Sequence, residues 1–331
     1  MKTGITLSNI WNDVVVSPRD REMQRRDYAY ASEMGYPLID RFLKMNAIPM
    51  TNPPNDRARR KFFGGNVWEM IVWMAFNFAG LIISKQDTVW VDEGAIRVKG
   101  KLDFLIGGKP DFDRARKEIE GLPMPDDMKA FFNKCLVRMS ETYSGEYLPC
   151  VKEIKSLSTF MFESVERKEK PIPQHELQLL HYQWGTKTER GGICYVCRDD
   201  ARLREFDLEH VAHLKMKYLN ELHNLNEYLK SGQRPPLEPL IKWDDRFSKN
   251  LGVEYSSYLE LVYGFKTPEE YRDAVDSKVG RWNRVLKRIK EGAKLTDNNK
   301  EALEEMNAEG YDGQKLVASL QLPAASETET E

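Results

Sequence analysis

The residues best suited to chemistry are Glu153 and Lys155, in the run Lys152-Glu153-Ile154-Lys155, whose surroundings read as a strand. Side chains alternate along a strand, so Glu153 and Lys155 share one face while Ile154 packs behind them. A carboxylate beside an ammonium is suited to hydrolysis, because the carboxylate binds a hard cation and the lysine steers or deprotonates an attacking water. The same pair is also an ordinary surface ion pair, so its company decides the reading. Asp103 lies among Leu102, Phe104, Leu105 and Ile106, where a carboxylate is costly to bury without a partner or a metal. Its alternative is a solvated strand end or a turn cap. Glu69 sits near the head of the apolar run Val67-Trp68-Glu69-Met70-Ile71-Val72-Trp73, a position that the helix dipole alone would favour. Gly65, just before it, leaves room for a backbone or a phosphate. His175, Gln178 and Tyr182 recur at spacings of three and four, forming a polar helical stripe that could hold a phosphate backbone or orient the lysine. An exposed polar face is the plain alternative.

These residues need elements to position them. The N-terminal stretch reads as helical and ends in the proline-rich loop at 49–54, which no helix crosses. An apolar helix is expected over 65–83. A hairpin follows, 88–92 with 95–106, turned by Glu93-Gly94. Helices at 113–120 and 126–142 lead to the strand 148–156. After a polar loop, Pro173 opens a helix reaching Trp184. A second hairpin joins 192–198 to 202–207, and from Glu209 onward the pattern is helical. Thr267-Pro268-Glu269-Glu270 reads as a capping box. The tail at 324–331 is small, acidic and expected to be disordered.

In order along the chain, Gly65-x3-Glu69, Gly100-x2-Asp103, Glu153-x-Lys155 and Gln178-x3-Tyr182 resemble the motifs of the PD-(D/E)XK nuclease superfamily. More narrowly they resemble its RecB-type exonuclease branch, which includes phage recombination, CRISPR-adaptation and mitochondrial genome-maintenance exonucleases. The match covers about residues 32–207. It implies an α/β fold with a restriction-endonuclease-like mixed central sheet flanked by helices, and a helical C-terminal extension. The expected domains are a nuclease core with a helical N-terminal part at 1–207, a helical region packed on it at 208–320, and the tail at 321–331. The resemblance makes Glu69, Asp103, Glu153, Lys155, Gln178 and Tyr182 catalytic. Glu69, Asp103, Glu153 and the Ile154 carbonyl would be ligands of Mg²⁺ or Mn²⁺, cations that favour oxygen. The expected activity is metal-dependent hydrolysis of DNA, exonucleolytic, in recombination, repair or genome processing, and a phage origin fits it. The alternative is a DNA-binding or assembly protein that keeps the fold without turnover. A homo-oligomer, or a recombination or replication protein as partner, is compatible with either.

Some relatives hold an iron–sulfur cluster on one early and three late cysteines. Neither 32–37 nor 251–261 contains a cysteine here, so no cluster is expected. Cys194-x2-Cys197 has zinc-like spacing, but on a strand residues three apart face opposite sides. Arg57, Arg59, Arg60 and Lys61 precede the Glu69 helix and are expected to contact DNA, together with Ser156, Lys170 and His175. Lys152, Arg167 and Lys168 could add to the same groove, and the rings of Tyr143, Tyr147, Phe160 and Phe162 could stack on unpaired bases, with core packing as the alternative. At net charge −2, with 41% hydrophobic and 31% charged residues, the chain reads as globular, and any DNA affinity must come from a local patch. The apolar run 70–83, interrupted by Asn77, is too short for a bilayer, and the N-terminus does not resemble a signal peptide. A cytoplasmic protein is expected (the host cytoplasm, if phage-encoded).

Overall fold

A computed structural model of the chain describes residue 15 and residues 24–209, 212–313, 315 and 316, without the side chains of 212 and 213. The expected tail at 321–331 lies outside the described residues.

In chain order the first part comprises β1 (Tyr28–Tyr30), a 3-10 turn (Ala31–Glu33), α1 (Leu38–Met45), α2 (Asp56–Phe78), β2 (Ile82–Lys85), β3 (Thr88–Val91), β4 (Arg97–Lys101) and β5 (Phe104–Gly108). Then come α3 (Phe112–Glu120), α4 (Asp126–Thr142), β6 (Tyr147–Leu157), α5 (Thr159–Lys168), α6 (Pro173–Thr186), β7 (Arg190–Cys197), β8 (Leu203–Glu209) and α7 (Ala212–Ser231). The central sheet runs β2-β5-β6-β7-β8, and β1-β4-β3 form a smaller second sheet. In the central sheet β6 and β7 run parallel and every other pair is antiparallel, so the sheet is mixed. The parallel step requires a crossover, which α5 and α6 supply.

Helices cover both faces of that sheet. From α2, Val72, Trp68, Trp73 and Phe76 pack on Ile82, Phe104, Ile154, Cys194 and Val196. Tyr195, one residue out of phase with Cys194 and Val196, faces the other way and meets His175 of α6. There Leu177, Leu179 and Leu180 are fully buried, each worth about 1.5–3 kcal/mol in apolar burial.

Several elements differ from the sequence reading. The apolar run at 65–83 is not one helix. The helix starts earlier, at Asp56, where the Asn55 side chain accepts the Ala58 N–H at 2.9 Å, and it stops at Phe78. Gly80, at φ 67°, then turns the chain into the strand β2. The expected long strand at 95–106 breaks at Leu102-Asp103 into β4 and β5, which belong to different sheets. The β2–β3 turn clasps this break: the Asp87 carbonyl accepts the Leu102 N–H at 3.0 Å, and the Gln86 N–H donates to the Asp103 carbonyl at 3.2 Å. Where a polar loop is expected after β6 the chain forms the helix α5, and part of the expected N-terminal helix is the strand β1.

The chain divides into two compact units, Met1–Pro49 with Pro54–Pro235, and Met50–Pro53 with Pro236–Glu331. The sequence reading puts the boundary at 207, whereas the first unit runs on through α7. The second unit holds β9 (Ile241–Trp243), β10 (Phe247–Lys249), α8 (Leu251–Glu254), α9 (Leu259–Tyr263), α10 (Pro268–Lys290) and α11 (Asp297–Ala308), so a short antiparallel hairpin interrupts the expected helical run. Its core gathers Phe247, Tyr271, Val275, Trp282, Val285 and Met306. Thr267 caps α10 by accepting the Glu270 N–H at 3.2 Å, while the Glu270 carboxylate takes the Lys266 N–H instead of closing the box. Among the described residues no helix is long and apolar enough to cross a membrane.

Candidate active site

The site is built where β5 begins. Phe104 is paired with Lys152, so beyond that pair the Ile154 edge of β6 faces the bend that carries Asp103. The Asp103 Oδ2 accepts the Ile154 N–H at 2.7 Å. An extended residue sends its N–H and C=O to the same edge, which aims the Ile154 carbonyl at the same gap. Glu153, on the next position of β6, is 1% exposed. One of its oxygens takes the Lys155 ammonium, and the other, Oε2, is buried with no hydrogen-bond partner among the described residues. Glu69 reaches the same neighbourhood from the middle of α2, not from its head, and accepts the Gln86 side-chain amide.

Electrostatics tie these groups together. Burial, reinforced by the Asp103 charge, pushes Glu153 up to about 8 despite Lys155. The same two causes, burial first, push Glu69 up to about 7. Burial also raises Asp103, against the pull of Lys155 and the Ile154 N–H. For Lys155 burial acts downward, but the Glu153 and Asp103 carboxylates outweigh it and the ammonium is held protonated. Three carboxylates that resist ionisation, one with an unpartnered oxygen, beside an aimed carbonyl make an all-oxygen donor set of the kind Mg²⁺ and Mn²⁺ take. Among the described residues no three His, Cys, Asp or Glu side chains stand together as a group that could hold a metal ion. Glu153 and Glu69 are each engaged by a neighbouring side chain, Lys155 and Gln86.

Other expected site residues fall differently. Gln178 donates to the Tyr182 hydroxyl at 3.0 Å, which donates to the Lys101 carbonyl at 3.0 Å. They thus hold the end of β4, two residues before Asp103. Gly100 serves this contact: a Cβ there would come within 2.5 Å of the Tyr182 ring and 2.8 Å of His181. His175 contacts Tyr195, whose hydroxyl accepts the Ile172 N–H at 2.9 Å and lies 2.9 Å from Nδ1. That hydroxyl can donate to Nδ1 or accept from it, according to the histidine tautomer. Burial, with the Lys155 charge, lowers His175 to about 3, so it is neutral and contributes no cation. Lys152 points away from Glu153, into an ion pair with Glu205 at 2.5 Å and Asp207 at 3.0 Å, which removes it from the groove.

Arg57, Arg59, Arg60 and Lys61 form the first turns of α2 instead of preceding it. At about 100° per residue they encircle the helix, Arg60 opposite Glu69 and the others turned away by roughly 80–120°. Ser156 lies beside Gly65, 3.6 Å from where a Cβ would be, and Lys170 is exposed between α5 and α6. Phe162 is fully buried and offers no face to a base, whereas Phe160 is exposed. Cys194 packs under α2, while Cys197 on the other face of β7 lies 3.6 Å from the Thr159 hydroxyl, so the two share no ligand site. Sequence reasoning missed Gln86, Lys101 and Tyr36. Lys101 bears on both Glu69 and Asp103, and Tyr36 bears on Lys155. Gln86 sits at φ 57° in a turn with no pattern to mark it; Lys101 stood inside the Gly100-x2-Asp103 motif.

No family model matches the chain, and no curated protein does. Among solved structures, the protein titled SSO0001 is similar at 13% identity and TM-score 0.41, over 76% of this chain and 94% of that one. An alkaline exonuclease from Laribacter hongkongensis (LHK-Exo) is similar at 12% identity and TM-score 0.37, over 63% of this chain and 90% of that one. The same exonuclease in complex with dAMP is similar at 12% identity and TM-score 0.39, over 62% and 88%. The class of the first unit follows from its own topology: an α/β fold with a mixed central sheet flanked by helices.

Proposed function

We propose that this chain is a divalent-metal-dependent DNA nuclease, acting as an exonuclease in recombination, repair or genome processing. One observation carries the reading. Asp103 and Glu153 meet at the open edge of β6 with Lys155 against them, and a buried Glu153 oxygen has no donor among the described residues. The ordered resemblance to PD-(D/E)XK motifs supports the same assignment.

Asp103, Glu153 and the Ile154 carbonyl would hold Mg²⁺ or Mn²⁺, with Glu69 binding directly or through water. When bound, such an ion polarises a phosphate and acidifies a water. The chain's own part is positional. Lys155, kept protonated by its two carboxylates, acts as a hydrogen-bond donor that orients the attacking water and not as its base. Gln178 and Tyr182 fix the backbone leading into Asp103, and the exposed cations Arg57 and Lys170, with Ser156, offer contacts to the DNA backbone.

The test uses end-labelled linear and closed circular DNA, single- and double-stranded, with each metal in turn. Release of label from linear DNA in Mg²⁺ or Mn²⁺, with circles spared and nothing released in chelator, is the expected result. Tight binding with no cleavage under any divalent metal would instead establish the binding-only alternative.

A further inference from the structure

The smaller sheet β1-β4-β3 has two unlike faces. Ala29, Val89, Val91 and Val98 are buried on one, and Gly100 on that face lies against α6. Alternation sends Tyr28, Tyr30, Trp90, Arg97, Lys99 and Lys101 to the other, where each keeps partial or full exposure. Register sets them in rows. Tyr30 on β1 pairs with Lys99 on β4, and Lys99 pairs with Trp90 on β3. The neighbouring row pairs Tyr28 with Arg97. The Lys99 ammonium lies 5.4 Å from the Trp90 ring centre and 5.8 Å from that of Tyr28, and the Arg97 guanidinium lies 4.5 Å from Trp90. Tyr28 and Trp90 meet edge to face at 5.4 Å.

The central strand therefore carries cations at every second position, 97, 99 and 101, flanked by aromatic rings. Two residues of strand span about 6.8 Å, a step of the order of that between phosphates of an extended strand. Arg97 is paired with Asp92 at 2.7 Å. Lys99 and Lys101 form no ion pair closer than 4 Å among the described residues. The stripe also has a direction: Lys101 is two residues from Asp103.

We infer that the outer face of this sheet is a track for single-stranded DNA, whose bases stack on Trp90 and Tyr28 while Lys99 and Lys101 lead its phosphates toward Asp103. Flat rings with interleaved cations suit unpaired bases, since every base offers a stacking face and the backbone supplies the opposite charge. A duplex keeps its bases stacked on one another and gains only the cations. That the track ends at a cleavage site rests on the nuclease reading; the binding itself does not.

The measurement is fluorescence anisotropy of a labelled oligothymidylate, and of a duplex of equal length, titrated with the full chain in chelator. Trp90→Ala and Lys99→Ala each weaken oligothymidylate binding roughly tenfold or more, with a smaller effect on duplex. Lys99→Gln, which keeps the stem over the rings, serves should Trp90→Ala fail to fold. Unchanged oligothymidylate affinity in the folded variants, or an equal loss on duplex, overturns the inference. The two readings fail separately. A chain that binds oligothymidylate through this face but cleaves nothing in any metal refutes the nuclease alone. A chain that cleaves but is indifferent to these substitutions refutes the track alone.

Discussion

Glu153 is held almost out of water, with one oxygen on Lys155 and the other without a donor among the described residues. Such a carboxylate keeps its proton unless a cation replaces the lost solvation. Its folded value, about 8, lies above its ordinary 4.5, and that of Glu69 is raised to about 7. Between the ordinary and the raised values the folded chain binds more protons than the unfolded one. This contribution therefore favours the metal-free fold at low pH and is lost as pH rises through about 7 and then about 8. Urea titrations should show Glu153→Gln flattening that decline, and a slope identical to wild type would contradict the assignment. Metal binding at pH 7 should expel on the order of one proton per chain, read by calorimetry in buffers of different ionisation enthalpy; zero release would contradict it. The pairing of Glu153 with Lys155 was legible because strand alternation alone puts them on one face. His175 was not, because spacing shows neither burial nor the tyrosine that takes its Nδ1.

At the scale of elements, the bend between β4 and β5 is what brings Asp103 to the Ile154 N–H. The sequence reads 95–106 as one strand, since Val and Ile continue across the break and the clasp comes from the distant Gln86-Asp87 turn. Helix α6 holds the end of β4 through Tyr182. Tyr182→Phe leaves the Lys101 carbonyl without its donor, for about 1–3 kcal/mol of stability, and should slow cleavage at saturating DNA more than it changes KM. An unchanged rate would separate Tyr182 from the site. Gly100→Ala drives a methyl into Tyr182 and His181, at a cost of about 1–3 kcal/mol, measured as a shift in the urea midpoint. Long periodic elements such as α4 and α6 were readable nearly to their ends. The three-residue strands β1, β9 and β10 were not, because so short a run carries no alternation to recognise, and α5 was hidden by the charged residues along it.

For the whole molecule, a net charge of −2 leaves DNA binding to local cations. The expected basic cluster is a collar around the first turns of α2, which spacing along the chain could not show without the helix start. Arg57→Ala and Lys170→Ala should each lower the salt dependence of DNA affinity by about one counterion. Equal slopes in variant and wild type would remove those residues from the interface. The fold class was legible because strand and helix patterns alternate along 65–207, which calls for a mixed sheet covered by helices. The small outer sheet was not, since its face exists only once three separate strands are in register. The most direct test of the central claim is the rate of Mg²⁺-dependent DNA cleavage by the wild type, Asp103→Ala and Lys155→Ala, with folding checked for each. The wild type should cleave and stop in excess chelator, and both variants should lose at least about a hundredfold in rate. Full cleavage in chelator, or by either folded variant, would contradict it.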